Sequence, residues 1–221
     1  MKKFNLTLFI FSFILFLISC DKKASDNEGG DESQSETTSP VSCTYSYLKD
    51  STTVEWTAFK LTEKVGVGGK FDEFKVLSAK ESGSPKELLN GLEFSIETGS
   101  VNTENPIRDQ KIVESFFGTL TNTGMITGKV AALEGDDNSG KATVNLTLNE
   151  IEKVVELAYA VKGEQVYLEG EINVGDWDGM AAIDALNKVC LAGHTGTDGV
   201  SKLWPDVELN ISSKLVKNCP N

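Results

Sequence analysis

The stretch KATVNLTLNEIEKVVELAYAVKGEQVYLEGEINV, residues 141–174, decides the fold. At its start Ala142, Val144, Leu146 and Leu148 are apolar, and the residues between them are polar. Successive side chains of a β-strand point to opposite faces of the sheet, so this period of two predicts strands with one buried face. The same alternation returns at 166–174 and 207–215, and Gly163-Glu164 separates two strands at the distance of a hairpin turn.

The remaining strands and helices follow from the same pattern and from helix-capping residues. Further strands are predicted at residues 52–61, 69–81, 92–98, 119–133 and 153–161. Short helices are predicted after Ser84-Pro85 and Asn105-Pro106, because a capping side chain followed by proline is a typical helix start. A third helix is predicted to begin at Asp178-Gly179.

This count of elements predicts an all-β fold. About eight evenly spaced strands with two or three short helices favour an eight-stranded antiparallel barrel. Such a barrel encloses either packed side chains or one small ligand. Periodicity alone leaves both possibilities open.

The first 19 residues have the pattern of an export signal. Two lysines follow Met1, and an apolar run extends from Phe4 to Ile18. The ending Leu-Ile-Ser-Cys at Cys20 resembles the lipobox of bacterial lipoproteins, which implies cleavage before Cys20 and a lipid on its thiol. A plain signal peptide is the alternative. The chain is therefore expected to be anchored by lipid to a membrane of the bacterial cell envelope, on the periplasmic side or at the outer membrane.

Composition divides the rest of the chain into a linker and one domain. Residues 20–42 are acidic and polar, so they cannot bury enough surface to offset their ordering entropy and are expected to be disordered. Residues 43–221 are long enough for one domain with a sizeable core. The net charge is −12, and it becomes −14 once Lys2 and Lys3 leave with the signal. A chain this acidic repels phosphate backbones, so nucleic acid is not an expected partner.

Three cysteines remain besides Cys20, and their positions favour one disulfide. Cys43 precedes the first predicted strand, and Cys219 follows the last. These two points meet at one end of a closed antiparallel barrel with an even number of strands, so Cys43–Cys219 is the favoured pair in an oxidising compartment. Cys190 lies on the third predicted helix and is interpreted as a small buried apolar residue. Its pairing with Cys43 stays an alternative.

The centre of the chain carries a family resemblance. The segment SIETGSVNT at 95–103 is followed by Asn105, Arg108-Asp109, Lys111-Ile112 and Phe116-Phe117. This series resembles the central signature of the YceI-like family, a group of polyisoprenoid-binding, lipocalin-like proteins, and the likeness extends over residues 52–215. The resemblance implies an eight-stranded lipocalin-like barrel whose long apolar lumen holds an isoprenoid, a quinone or a fatty amide. It implies no catalytic residues and no cofactor.

The chain departs from the usual family pattern at positions that bear on the ligand. Lys60 and Lys111 stand where many members carry histidine. Glu150 replaces a turn glycine, and the segment 176–199 is longer than in the shortest members. The resemblance therefore implies a class of ligand and leaves the particular ligand open.

The inward-facing residues are the candidate ligand contacts. The strand residues expected to line a lumen are Trp56, Phe59, Phe71, Phe94, Ile96, Val144, Leu146, Leu148, Leu157, Tyr159, Leu168, Ile172, Leu209 and Ile211. Phe116 and Phe117 either close the mouth over a ligand or form the packing face of their helix. Arg108 either grips a polar head with its rigid fork of donors or ties its helix to the barrel rim. Asp109 is favoured in the first turn of that helix, where a carboxylate meets the positive end of the helix dipole.

Two other functions compete with ligand carriage. A filled barrel would make the chain an envelope interaction or stress-response protein without a small ligand. An enzyme would need His194, the single histidine, as its base, but no nearby serine, cysteine and aspartate have the arrangement of an activated nucleophile. No metal is expected, because Asp176 and Asp178 lack the further carboxylates of a calcium loop and one histidine supplies zinc poorly.

Overall fold

The computed structural model describes residues 42–78 and 80–220. The predicted export signal, Cys20 and the predicted linker up to residue 41 lie outside these residues. The described residues fall in one compact unit, Pro40–Asn221, which contains the whole described sheet, core and disulfide. Across the part of the chain that the structure describes, no helix has both the length and the apolar character needed to cross a membrane.

The domain is mostly β, with an eleven-stranded antiparallel sheet curled into a half-barrel. The strands are β1 (Thr44–Tyr47), β2 (Thr53–Lys60), β3 (Val65–Phe71), β4 (Phe74–Val76), β5 (Glu93–Glu97), β6 (Val101–Asn102), β7 (Met125–Gly135), β8 (Ser139–Leu148), β9 (Ile151–Lys162), β10 (Gln165–Asn173) and β11 (Leu203–Asn218). Along the sheet their order is β4-β5-β7-β8-β9-β10-β11-β2-β3-β6, and β1 pairs with β11. The all-β prediction is confirmed, and the strand count is higher than the predicted eight.

Two bends and one extra strand account for the difference in count. β3 and β4 are separated only by Asp72-Glu73, and β5 and β6 only by the 3₁₀ turn Thr98–Ser100. At this corner the amide of Asp72 donates to the carbonyl of Ser100 at 3.0 Å, and the amide of Glu97 donates to the carbonyl of Glu73 at 3.1 Å. β1, which the alternation did not predict, pairs with the end of β11.

Short helices lie between the strands, as predicted. They are α1 (Pro85–Leu89), α2 (Pro106–Lys111), α3 (Met180–Val189) and α4 (Leu191–His194). Ser84 Oγ accepts from the amide of Glu87 at 3.3 Å, and Asn105 Oδ1 accepts from the amide of Arg108 at 3.1 Å, so both predicted caps are confirmed. The third helix begins at the predicted pair: Gly179 is the N-cap of α3, whereas Asp178, with a left-handed φ of 55°, ends the preceding 3₁₀ turn and is not the cap.

The cysteines follow the favoured pairing. Cys43 and Cys219 form a disulfide with a Cα–Cα distance of 4.2 Å. It lies directly beside the β1–β11 pair, so it fixes both ends of the described domain. Cys190 is a free thiol that is half-buried, where full burial was expected, because it lies on the wall of a cavity.

Part of the packed core fills one end of the half-barrel, which we call the filled end. Ala142, Tyr159, Val166 and Leu215 are each at most 2% exposed there. Leu88 and Leu89 of α1 belong to the same buried cluster. The filled end is also the end that carries β1 and the disulfide, whereas α2, α3 and α4 lie at the other end of the strands.

Candidate ligand cavity

A cavity of about 500 Å³ lies within the curve of the sheet, between the filled end and the helices. This volume falls in the range of about 300–1,000 Å³ typical of small-molecule sites. Ile107 lines the cavity and is 72% exposed, so the cavity reaches the surface beside α2. We call this end the mouth. The side chains of Lys60, Arg108, Lys111 and His194 lie there.

The sequence located most of the wall. Of the predicted contacts, the following line the cavity: Trp56, Phe59, Phe71, Phe94, Ile96, Arg108, Phe116, Phe117, Val144, Leu146, Leu148, Leu157, Ile172, Leu209 and Ile211. Tyr159 and Leu168 do not. Both are buried in the packed core, and the hydroxyl of Tyr159 donates to the carbonyl of Asp136 at the β7–β8 hairpin, which directs this ring away from the cavity.

Two glycines keep the cavity wide by letting aromatic rings lie flat on the sheet. Trp56 pairs across strands with Gly69, and Phe94 pairs with Gly128. A Cβ on Gly69 would lie 2.3 Å from Trp56 Cζ2, and one on Gly128 would lie 2.3 Å from Phe94 Cζ. Any larger residue would therefore push the ring off the sheet and into the lumen.

Four aromatic rings form a continuous part of the wall. The ring centroids of Trp56 and Phe71 are 6.5 Å apart, those of Phe71 and Phe117 are 6.2 Å apart, and those of Phe117 and Phe116 are 5.0 Å apart. These separations are typical of favourable aromatic pairs. Phe117 is 5% exposed and belongs to the core, so it has a packing role as well as a place on the wall.

Arg108 and Asp109 have different roles rather than forming a pair. Asp109 Oδ1 accepts from the amide of Thr103 at 2.8 Å and from the hydroxyl of Thr103 at 2.6 Å, so it fastens the start of α2 to the end of β6. Within the described residues no salt bridge joins Arg108 to a carboxylate, and its side chain lies on the cavity wall. The structural interpretation therefore holds for Asp109, while Arg108 lies on the cavity wall and its role in ligand binding stays a prediction.

Two lysines approach the same short segment, Val189–Gly193, where α3 ends and α4 begins. Lys60 Nζ, at the end of β2, donates to the carbonyl of Gly193 at 3.0 Å. Lys111 Nζ, at the end of α2, donates to the carbonyl of Val189 at 3.2 Å. Each ammonium group has three N–H donors, so each keeps donors available at the mouth.

His194 is half-buried at the mouth and is held by its neighbours. Its Nδ1 lies 2.9 Å from Asn187 Oδ1, which also accepts from the hydroxyl of Ser201 at 3.1 Å. Burial, followed by the charges of Lys60 and Lys111, lowers the pKa of His194. Across residues 42–78 and 80–220, no hydrogen bond joins His194 to the thiol of Cys190. The lowered pKa favours the neutral form of the ring, and the contact with Asn187 holds the ring in place.

Besides Arg108, Phe116 and Phe117, the sequence did not identify the parts of the wall that the helices supply. They include Ile107, Ile112, Ile183, Leu186, Val189 and Ala192. Ile183, Leu186 and Cys190 follow one another at helical spacing, which predicts a packing face on α3 but not that this face covers a cavity. The smaller strand residues Val54, Ala58, Val67 and Val207 also line it, and their alternation was the available signal.

Comparison with known proteins identifies the family to which the chain belongs. Residues 45–215 match the YceI-like domain family, so the chain belongs to that family. No curated protein matches the chain.

Solved structures support the same fold. A polyisoprenoid-binding domain from Saccharophagus degradans, implicated in plant cell wall breakdown, aligns with a TM-score of 0.54 and 17% identity over 80% of this chain and 98% of that one. A mutant YceI protein of Campylobacter jejuni with a monobromobimane guest aligns with a TM-score of 0.50 and 23% identity over 71% of this chain and 86% of that one. At these identities the likeness concerns the fold.

Proposed function

We propose that the chain is a membrane-tethered binding or carrier protein for an apolar chain-like ligand, such as an isoprenoid, a quinone or a fatty amide. The observation that carries this proposal is the apolar cavity of about 500 Å³ in the interior of a YceI-like domain. Binding of polyisoprenoid by the Saccharophagus degradans domain agrees with it. A family of binding domains also agrees with a non-enzymatic role.

The same proposal interprets the half-barrel as a lipocalin-like barrel of eight bent strands. If β3 with β4 and β5 with β6 are each counted as one strand, and β1 as an extension beside β11, the sheet order closes on itself. The two backbone hydrogen bonds at the Asp72-Glu73 corner support this interpretation. A closed sheet of this size has an interior suited to one small ligand.

The energetics favour a ligand with a long tail. Burial contributes about 0.8 kcal/mol per methylene, so a tail of about ten methylenes contributes about 8 kcal/mol. The loss of freedom on association and ordering offsets several kcal/mol of this burial term. Polar or aromatic contacts at the mouth add to the binding free energy that is left. A tail of this length therefore supports binding in the micromolar range. A barrel filled by its own side chains, which is the alternative, would leave no space for such a tail.

The tether is the part of the proposal that rests on sequence alone. A lipid on Cys20 would keep the cavity beside the membrane that holds an apolar ligand, and two acyl chains anchor far more firmly than one. Metabolic labelling with a clickable fatty acid should modify the exported chain and leave Cys20→Ala unlabelled. Equal labelling of both chains would contradict the tether without touching the cavity.

Native mass spectrometry tests the ligand directly. Residues 21–221 retain the whole compact unit and should be exported to the periplasm through a cleavable signal, then purified without detergent. We expect an adduct with the mass of an apolar lipid, which disappears after organic extraction and returns when lipid is added. A chain that keeps its bare mass before and after lipid addition would contradict the proposal.

A further inference from the structure

We infer that the mouth of the cavity selects amphiphiles with an anionic head, a carboxylate or a phosphate, over neutral amphiphiles with the same tail. This inference rests on the proposed function and adds the chemistry of the head. Three side chains carry it: Lys60, Arg108 and Lys111, which we call the mouth cations.

The charged residues on the cavity wall are positive, whereas the net charge of the chain is negative. The chain has 33 acidic against 21 basic residues, yet among the residues that the structure describes no aspartate or glutamate lines the cavity. Within residues 42–78 and 80–220, the formally charged residues on the cavity wall are the three mouth cations. A chance sample of this surface would favour carboxylates, so the mouth has a local positive potential that the net charge conceals.

Among the described residues, the mouth cations also lack partners of opposite charge. Six salt bridges occur among the described residues, and none includes Lys60, Arg108 or Lys111. The two lysines are instead oriented by the carbonyls of Gly193 and Val189. Their remaining donors and the guanidinium of Arg108 are therefore available to an anion.

Two further observations place the positive charge at one point. Lys60 comes from β2 and Lys111 from α2, yet both reach the segment between Val189 and Gly193. Both also lower the pKa of His194, which follows this segment, so the two ammonium groups act on the same place. An anionic head beside that segment would meet both ammonium groups while its tail extends toward Trp56 and Phe71.

Apolar surroundings strengthen the attraction between the mouth cations and an anionic head. A hydrogen bond between an ammonium or guanidinium group and an oxyanion is about twice as strong as a neutral one. Partial exclusion of water by the apolar wall lowers the local dielectric, so the attraction is greater than for a surface pair. A neutral head forms hydrogen bonds with the same donors but gains no charge attraction.

Calorimetric titration of the delipidated chain 21–221 tests this selection. Hexadecanoate, hexadecyl phosphate, hexadecanol and hexadecanamide share one tail length and should be compared below their aggregation limits. At least one anion should bind about tenfold or more tightly than the alcohol and the amide, and added salt should reduce this ratio. Comparison of the two anions separates a carboxylate site from a phosphate site.

Variants that lack positive charges test whether the anion preference depends on the mouth lysines. Lys60→Gln with Lys111→Gln should reduce the anion preference to less than about threefold, because the affinity for the anions should fall much more than the affinity for hexadecanol. Lys75→Gln with Lys153→Gln removes the same charge from exposed positions outside the cavity and should preserve the preference. Circular dichroism would confirm that both double variants are folded.

The outcomes separate the two levels of the proposal. Equal binding of all four compounds, or a preference that survives when Arg108→Gln is added to the two lysine substitutions, would overturn anion selection while the carrier function stands. Failure of the wild-type chain to bind any of them would overturn the carrier function itself.

Discussion

A substitution of Ala58 by phenylalanine would test whether the cavity is the place where the tail binds. Ala58 lies on β2, lines the cavity, and pairs with Val67 and Val207, which line it too. Its small side chain leaves the lumen open at this level. In Ala58→Phe the ring would project into that space, whereas in Thr57→Phe it would lie on the outer face, because neighbouring residues of a strand point to opposite faces.

The size of the effect follows from the displaced tail. A phenyl ring occupies roughly the space of six tail carbons, and each methylene contributes about 0.8 kcal/mol when buried. Complete displacement of that length would cost about 5 kcal/mol, and displacement of half of it about 2.4 kcal/mol. The affinity should therefore fall by at least about fiftyfold.

Titration with geranylgeraniol, together with urea unfolding of each variant, gives the measurement. Because the ring enters empty space, Ala58→Phe should change the free energy of unfolding by less than about 1.5 kcal/mol, and Thr57→Phe should bind as the wild type does. A folded Ala58→Phe chain with unchanged affinity would refute the reasoning, because the tail would then lie outside the cavity.

Three further predictions concern stability. Replacing Cys43 and Cys219 by alanine opens a loop with a sequence separation of 176, and chain entropy predicts a loss of up to about 5 kcal/mol in the free energy of unfolding, measured by urea titration. Gly69→Ala should cost about 1–3 kcal/mol and reduce ligand affinity, because its Cβ would lie 2.3 Å from Trp56 Cζ2 and force the ring into the lumen. The lowered pKa of His194 means that the unfolded chain takes up this proton at a higher pH than the folded chain does. The free energy of unfolding should therefore fall as the pH drops from about 6.5 to the lowered folded value, and His194→Gln should remove this part of the dependence.

Each of the three stability predictions has a result that would contradict it. Unchanged stability after loss of the disulfide would mean that the β1–β11 pair alone fixes the chain ends. A Gly69→Ala chain with wild-type affinity would mean that the Trp56 ring does not control the lumen. Identical pH profiles below about pH 6.5 with and without His194 would mean that burial and the two lysines do not shift its titration.

Much of the sheet was predictable because its signal is local. The alternation at Ala142–Leu148 assigns one face of β8 to the interior, and every one of those apolar residues is buried. Caps at Ser84 and Asn105 depend on the few residues that follow them, so they were predictable as well. The favoured disulfide required only that the two chain ends of an antiparallel barrel meet.

The remaining features depend on contacts between distant segments. The bends at Asp72-Glu73 and at Thr98–Ser100 belong to one corner, where two strands far apart in sequence hydrogen-bond, and neither segment shows a break by its pattern alone. Tyr159 fits the alternation expected of a lumen residue, but its hydroxyl donates to the carbonyl of Asp136 and its ring lies outside the cavity. Lys60 and Lys111 were visible as departures from a family pattern, and only the fold brings them to the same segment.

A crystal structure of the chain 21–221 with a bound long-chain amphiphile tests the central claim most directly. The account predicts continuous density for the tail inside the half-barrel, in contact with Trp56, Leu146 and Ile211, with the head at Lys60 and Lys111. Side chains that fill this space from the filled end to the mouth, with any lipid bound only on the outer surface, would contradict it.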